Sequence, residues 1–390
     1  MFTLMIMTAS AALPMNMFLS SLPNMAKDFG VPYPSMSLAI TIYLAFTAIV
    51  QLIIGPLSDL YGRRPVILST LAISVVATLG AALAESYTGF MIYRCIQAAA
   101  VTGTVLSRAI VRDVVAREDA ASKIGYVTMG MAVVPMLSIP LGGVLEETFG
   151  WRSVFYFITA VNFLTWALNL LDSGETLRHR ASSFSEHFHS YPTLLASVRF
   201  WCYVAILTLT VSMYFIVIST SPNIGTKTYG FSPTTLGIYL SIMPIGYFVG
   251  NFISGRYSKQ FGIQPMIMAG GLFLIGSFAL SLFLVILMPT TPIFFFISVF
   301  VMGIGNGVVI PNTTAALLEV NPDLAGSASG LSGSTMTLFG AVISSLAGFI
   351  VSGTHQAVLL LALLCVIAVL QLLFTIWVGR IEMRRRTQTS

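Results

Sequence analysis

Long apolar runs, separated by short polar or Gly- and Pro-marked breaks, occupy almost the whole chain. Twelve can be marked, at 2–22, 34–57, 66–86, 88–112, 119–146, 152–171, 200–222, 233–255, 265–287, 292–317, 326–351 and 355–379. A helix crosses ~30 Å of hydrocarbon with about 20 residues, at ~1.5 Å per residue, and these runs have that length. Gly55-Pro56, Gly62, Pro65, Gly150, Pro222, Gly262, Pro265, Pro289 and Pro322 punctuate them. The runs are continuous and lack the alternating segments of about 10 residues expected of a barrel. In lipid a backbone must satisfy its own N–H and C=O groups, so the pattern predicts spanning helices. The first run has no basic segment before it and is expected to be a retained helix, not a cleaved signal.

Composition agrees. The chain has 390 residues, of which 56% are hydrophobic and 8% charged, against about 25% charged in a soluble domain. Most of its surface is therefore expected to face membrane lipids. Of 19 Lys and Arg, 15 cluster at the junctions that follow even-numbered runs, Arg108, Arg112 and Lys123 within a few residues of the run ends, or in the C-terminal tail. Three, Lys27, Arg152 and Lys227, fall on the opposite side, and Arg94 lies inside a run. By the positive-inside rule both termini are expected in the cytoplasm. The basic balance is read as topology, with no nucleic-acid partner.

The segment 173–199 is the one long polar stretch, read as a cytoplasmic linker between an N-terminal six-helix bundle, 1–172, and a C-terminal one, 200–390, that ends in a short basic tail. An internal repeat supports this division. Residues 55–65 and 255–265 align at an offset of 200, matching Gly55 to Gly255, Ser58 to Ser258, Gly62 to Gly262 and Pro65 to Pro265. Halves repeated in the same orientation are a transporter arrangement. The expected fold class is an all-α polytopic membrane protein of twelve transmembrane helices in two pseudo-symmetric six-helix bundles.

Chemistry in the runs is sparse. Cys95, Cys202 and Cys365 are scattered, and His179, His187 and His189 in the linker are joined by no further ligand at metal spacing. No metal or cofactor is expected. No nucleotide loop of Walker type and no nucleophile–base constellation points to an enzyme. Arg94 stands out, because a charge inside a spanning helix costs a few kcal/mol and usually faces a partner or cavity. Arg94 and Asn16 each lie about six residues from a run end, so at ~1.5 Å per residue both are expected roughly 9 Å below the outer boundary, facing a common cavity. Other polar or aromatic candidates for contact with a substrate are Tyr43, Gln97, Tyr203, Tyr214, Tyr239 and Asn306. Gly55, Asp59, Gly62 and Arg63, with Arg112 and Asp113, are candidates for an inner gate. Pro135, Pro140, Gly142 and Gly143 form a kinked, closely packed or hinging stretch.

Several of these stretches resemble the major facilitator superfamily. Residues 55–65 resemble its signature loop, Tyr93-Arg94-Cys95-Ile96-Gln97 its fourth-helix motif, and Pro140-Leu141-Gly142-Gly143 the fifth-helix motif of its drug/proton antiporters. Arg112-Asp113, and Leu13 to Leu19 followed by Leu22-Pro23, resemble the bicyclomycin-resistance and chloramphenicol-efflux (Bcr/CflA) branch. The resemblance implies a monomeric secondary transporter of the bacterial inner membrane that exports small amphipathic compounds in exchange for protons by alternating access, with Arg94 holding substrate or coupling a proton. That branch usually carries an acid in the first helix where this chain has Asn16. An uncoupled facilitator or importer, and a non-transporting receptor, are the alternative readings.

Overall fold

A computed structural model describes residues 2–114, 117–172, 174–177, 194–321, 325–351 and 355–389, with side chains described except at 108, 112–113, 117–132, 325–327 and 385–389. The polar linker residues 178–193, including the three histidines, and the side chains of Arg112 and Asp113 lie outside these described residues. Eleven helices among them are long and apolar enough to cross a membrane. A further helix, Arg117–Phe149, fills the fifth place.

In chain order the helices are α1 (Phe2–Asp28), α2 (Tyr33–Tyr61), α3 (Arg63–Leu83), α4 (Tyr87–Gln97, continuing as Thr102–Val114), α5 (Arg117–Phe149) and α6 (Trp151–Asp172). They are followed by α7 (Val198–Lys227), α8 (Pro233–Phe261), α9 (Ile263–Leu287), α10 (Pro292–Leu318), α11 (Ala325–Ile350) and α12 (Gln356–Thr389).

The first helix runs further than the sequence pattern predicts. Pro23 does not end it. The helix Phe2–Asn16, with Pro14 in its last turn, gives way to a 3-10 turn, Leu19–Ser21, and resumes as Leu22–Asp28 with Pro23 in its first turn. Proline lacks an N–H to lose there, so a helix start accepts it. The stop comes at Gly30, whose φ of 64° is the left-handed conformation that closes a helix. Asn16 therefore lies near the middle of the span, not about six residues from its end.

Contacts divide the chain into two compact units. One holds α1–α6 together with Phe231–Ser241, the start of α8; the other holds α7 and the chain from Ile242 onward. Within the first, α1 packs on α5, α3 on α6 and α3 on α4; within the second, α7 packs on α11, α9 on α12 and α9 on α10. Each pairing recurs six helices later, so the repeat seen in one loop extends to the packing of both bundles. The turns repeat as well: Gly62 and Gly262 have φ of 102° and 87°, and Gly30 and Gly230 have φ of 64° and 67°.

Small residues let the helices approach closely. A Cβ at Gly142 of α5 would stand 1.9 Å from the carbonyl oxygen of Met17, so α5 crosses α1 at its break. In the second unit, Gly246 and Gly250 of α8 meet Gly303 and Gly307 of α10, the small-residue crossing typical of helices in lipid.

Candidate functional site

The break in α1 and the buried arginine of α4 meet inside the first unit. Arg94 is fully buried, and its guanidinium lies between two aromatic faces, with Cζ 4.3 Å from the ring centroid of Phe18 and 4.5 Å from that of Tyr43. Its Nη1 donates to the carbonyl oxygen of Pro14 at 2.9 Å and to Oε1 of Gln97, and its Nε reaches the carbonyl of Ala39 at 3.4 Å. Pro14 lies in the last turn of the helix Phe2–Asn16, where carbonyls lack intrahelical donors. The broken helix thus supplies the acceptor that a buried guanidinium requires.

The network continues from Gln97 to α3 and α6. Its Nε2 donates to Oγ1 of Thr78 on α3 at 2.8 Å, Thr78 donates to the carbonyl of Ser74 at 2.7 Å, and Asn162 of α6 reaches the Ser74 hydroxyl at 3.3 Å. No carboxylate pairs with Arg94 among the described residues. Its Nη2 is buried and has no hydrogen-bond partner. A fixed positive charge, two ring faces and one spare donor can hold an electronegative or anionic group.

The structure thus gathers Arg94, Gln97 and Tyr43 in one cluster and adds Phe18 and the Pro14 carbonyl, which sequence reasoning missed. Asn16 is buried at the same break, where its amide donates to the carbonyl of Ala12 at 2.8 Å. Other candidates lie elsewhere. The Tyr203 hydroxyl donates to Glu382 at 3.0 Å, on the oxygen that also receives Arg199, and so joins α7 to α12. Tyr239 stacks on Phe231 with ring centroids 4.7 Å apart. In the second unit Asn306 donates to the carbonyl of Thr210 at 3.4 Å and leaves its Oδ1 buried without a partner, and Tyr214 follows one turn after Thr210 on α7.

The candidate gate residues form a second site, at the turn between α2 and α3. Asp59 pairs with Arg63 at 2.6 Å, one helical turn on, and Arg63 also reaches the Ser58 hydroxyl. Gly62 is the N-cap of α3, with a φ that side chains rarely adopt. Glu175, from beyond the end of α6, completes the turn. Its carboxylate accepts from the backbone N–H of Arg63 at 3.0 Å, of Arg64 at 3.4 Å and of Leu177 at 3.0 Å. It satisfies the first amides of α3 at the positive end of the helix dipole. Burial alone would push the carboxyl up, but these backbone donors prevail and hold it below its ordinary value. A Cβ at Gly62 would stand 2.4 Å from Oε2 of Glu175, whereas around Gly55 the space is open. Glu175 was also missed; an acid just after an apolar run gives no periodic signal of the turn it will cap.

Pro135 and Pro140 lie inside α5 without ending it. Gly142 meets α1, while Gly143 meets the first turn of α8, where its Cβ would stand 2.3 Å from the carbonyl of Pro233.

Comparison with known proteins gives the family. The family model described as the Major Facilitator Superfamily matches residues 4–343 and again 220–390. An uncharacterised MFS-type transporter of Bacillus subtilis (strain 168), YdgK, is 30% identical over 343 residues, which are 86% of this chain and 85% of that protein. Multidrug resistance protein D of Escherichia coli (strain K12) is 27% identical over 361 residues, 89% of this chain and 88% of its own. Among solved structures, a bacterial homologue of the human lysosomal transporter Spinster superposes with a TM-score of 0.80 at 16% identity, covering 97% of this chain and 96% of that one, which shows likeness of fold. The repeated six-helix packing, the glycine turn at 62 and the buried arginine of α4 thus stand in a multi-pass membrane transporter that belongs to the Major Facilitator Superfamily.

Proposed function

We propose that this protein exports small amphipathic compounds from the bacterial cytoplasm in exchange for protons, by alternating access, as a monomer with both termini on the inner side. The single observation that carries the substrate reading is Arg94. A buried charge with no carboxylate partner among the described residues, held between Phe18 and Tyr43 and with Nη2 unpartnered, is a site suited to hold an electronegative group. Aromatic faces beside one fixed charge select for size and polarity more than for detailed shape, which suits a broad range of amphipathic molecules. Similarity to a protein named for multidrug resistance supports the same reading. The lopsided distribution of Lys and Arg supports the orientation.

Asn16 favours a second reading, a facilitator that moves its substrate without a proton, because an amide does not titrate in the physiological range. A panel of amphipathic compounds in everted membrane vesicles separates the two. Uptake of at least one compound that appears with an imposed proton gradient and disappears when the gradient is collapsed is the expected result. Equal flux under both conditions refutes proton coupling, and no flux for any compound refutes export.

A further inference from the structure

The last turn of α5 carries two adjacent carboxyls in unlike surroundings. Glu147 is exposed and accepts from the backbone N–H of Thr234 at 3.1 Å, in the first turn of α8. Glu146 turns inward and is 5% exposed. Its Oε1 accepts from Nδ2 of Asn24 at 2.7 Å, on the segment of α1 that follows the break. Its Oε2 is buried and makes no hydrogen bond of ordinary geometry; the buried hydroxyl of Ser21, which makes none either, stands against the same carboxyl. A cleft lined by Asn24, Lys27, Asp28, Glu146, Gly150 and Trp151 leads to this point from the surface.

The charged groups around Glu146 do not neutralise it. On α1, Lys27 lines the cleft without an ion pair to Glu146, and Asp28 is already held by Arg152 at 2.8 Å and by the indole N–H of Trp151 at 2.9 Å. On α5 the neighbour is Glu147, a like charge. The stretch of α8 in this unit, 233–241, has no charged residue. Burying a carboxylate with no cation costs several kcal/mol. As a neutral acid the same side chain donates from Oε2 to Ser21 while Oε1 still accepts from Asn24, so both buried oxygens are satisfied.

We propose that Glu146 is a proton-binding site, and that its occupation favours seating of the first turn of α8 on α5. The proton comes from water in the cleft and forms the O–H bond at Oε2. It returns to water when that turn lifts and the carboxyl is wetted. The physical link is the adjacency of the two acids. With Glu146 neutral, Glu147 can stay ionised on the Thr234 amide without a second negative charge beside it, and the backbone approach at Gly143 and Pro233 can close. The site lies at the end of the unit opposite the Gly62 turn, which the charge distribution makes the external end. The inference rests on that orientation and on alternating access, but not on proton-driven transport.

The test needs neither a substrate nor a gradient, so its outcome is independent of the flux assay. Infrared difference spectra of the purified protein between alkaline and acid pH should contain the C=O band of a buried carboxylic acid, and Glu146→Gln should lose it. In hydrogen exchange corrected for intrinsic rates, protection of 231–241 should rise as pH falls in the wild type. It should be high at every pH in Glu146→Gln, because glutamine resembles the neutral acid. Glu147→Gln should lower this protection while keeping the infrared band. An identical carboxyl titration in wild type and Glu146→Gln overturns the proposal, and so does the same pH dependence of protection in both.

Discussion

Replacing Arg94 with Met separates its structural role from its binding role. The Ala39 carbonyl, inside α2, keeps its helical donor, but two other acceptors, the Pro14 carbonyl and Oε1 of Gln97, lose theirs. Each buried acceptor left unpaired costs ~1–3 kcal/mol, so together they cost about 2–6 kcal/mol. Against this, a guanidinium no longer has to be stripped of water, a penalty of several kcal/mol. Methionine also fills much of the space between Phe18 and Tyr43 and contacts their rings well. The opposing changes are of similar size, so folding stability should shift by no more than about 2 kcal/mol, a few degrees in melting midpoint. Binding should respond differently, because nothing replaces the charge. Arg94→Met should abolish binding of any exported compound identified by the flux panel. Arg94→Lys keeps the charge but not the fork that serves several acceptors at once. It should lose about one charge-assisted hydrogen bond, ~1.5–3 kcal/mol, or roughly ten- to hundredfold in affinity. Melting in detergent and equilibrium binding on the same samples provide the check. If Arg94→Met unfolds the protein, the residue is a structural anchor. If it binds as the wild type does, the site lies elsewhere. Either result refutes the reasoning.

Three further expectations follow from the packing. Gly62→Ala forces a side chain into a positive-φ position and against Glu175, and should lower stability by ~1–3 kcal/mol; Glu175→Gln, which removes part of the clash partner's grip, should make the two changes non-additive in a double-mutant melting cycle. Glu175→Gln alone should cost ~0.5–2 kcal/mol as a lost helix cap. Because the folded carboxyl is held below its ordinary value, its contribution is complete above the unfolded value of about 4.3 and disappears as pH falls through the folded one. The melting difference between wild type and Glu175→Gln should therefore be constant above about pH 5 and shrink as the medium becomes more acid. Gly142→Ala places a methyl group against the Met17 carbonyl and should destabilise by ~1–3 kcal/mol; an unchanged melt would show that the α1 break is not held by α5.

Some of this architecture was legible as written. Apolar length determined the spanning helices because the bilayer sets one length for all of them and lipid forbids exposed backbone. The glycine turn at 62 was legible because only glycine adopts that φ without strain, and its copy at 262 marked the repeat. A second pair, Lys27 to Gly30 and Lys227 to Gly230, carries the same offset of 200 and the same left-handed turn, so the signal was present though shorter. Arg94 was conspicuous because charge in a span is costly enough to need a reason.

What the one-dimensional pattern could not supply was the partner of each of these groups. Pro23 looks like a stop in sequence, yet a helix can begin on it once a 3-10 turn has intervened. In the structure that turn falls where α5 presents Gly142 to the Met17 carbonyl. The acceptor for Arg94 is a backbone carbonyl, which no residue type advertises, and the rings around it come from two other helices. Tyr203 and Tyr43 are both tyrosines inside apolar runs, but one meets Glu382 and the other a guanidinium. Glu175 and Glu146 are acids near helix ends in sequence, and only the fold makes one a cap exposed to amides and the other a buried group without a cation. Periodicity is a property of one chain segment and can be read from it; hydrogen-bond pairing and desolvation are properties of what several segments bring to one point, and only the tertiary structure decides them.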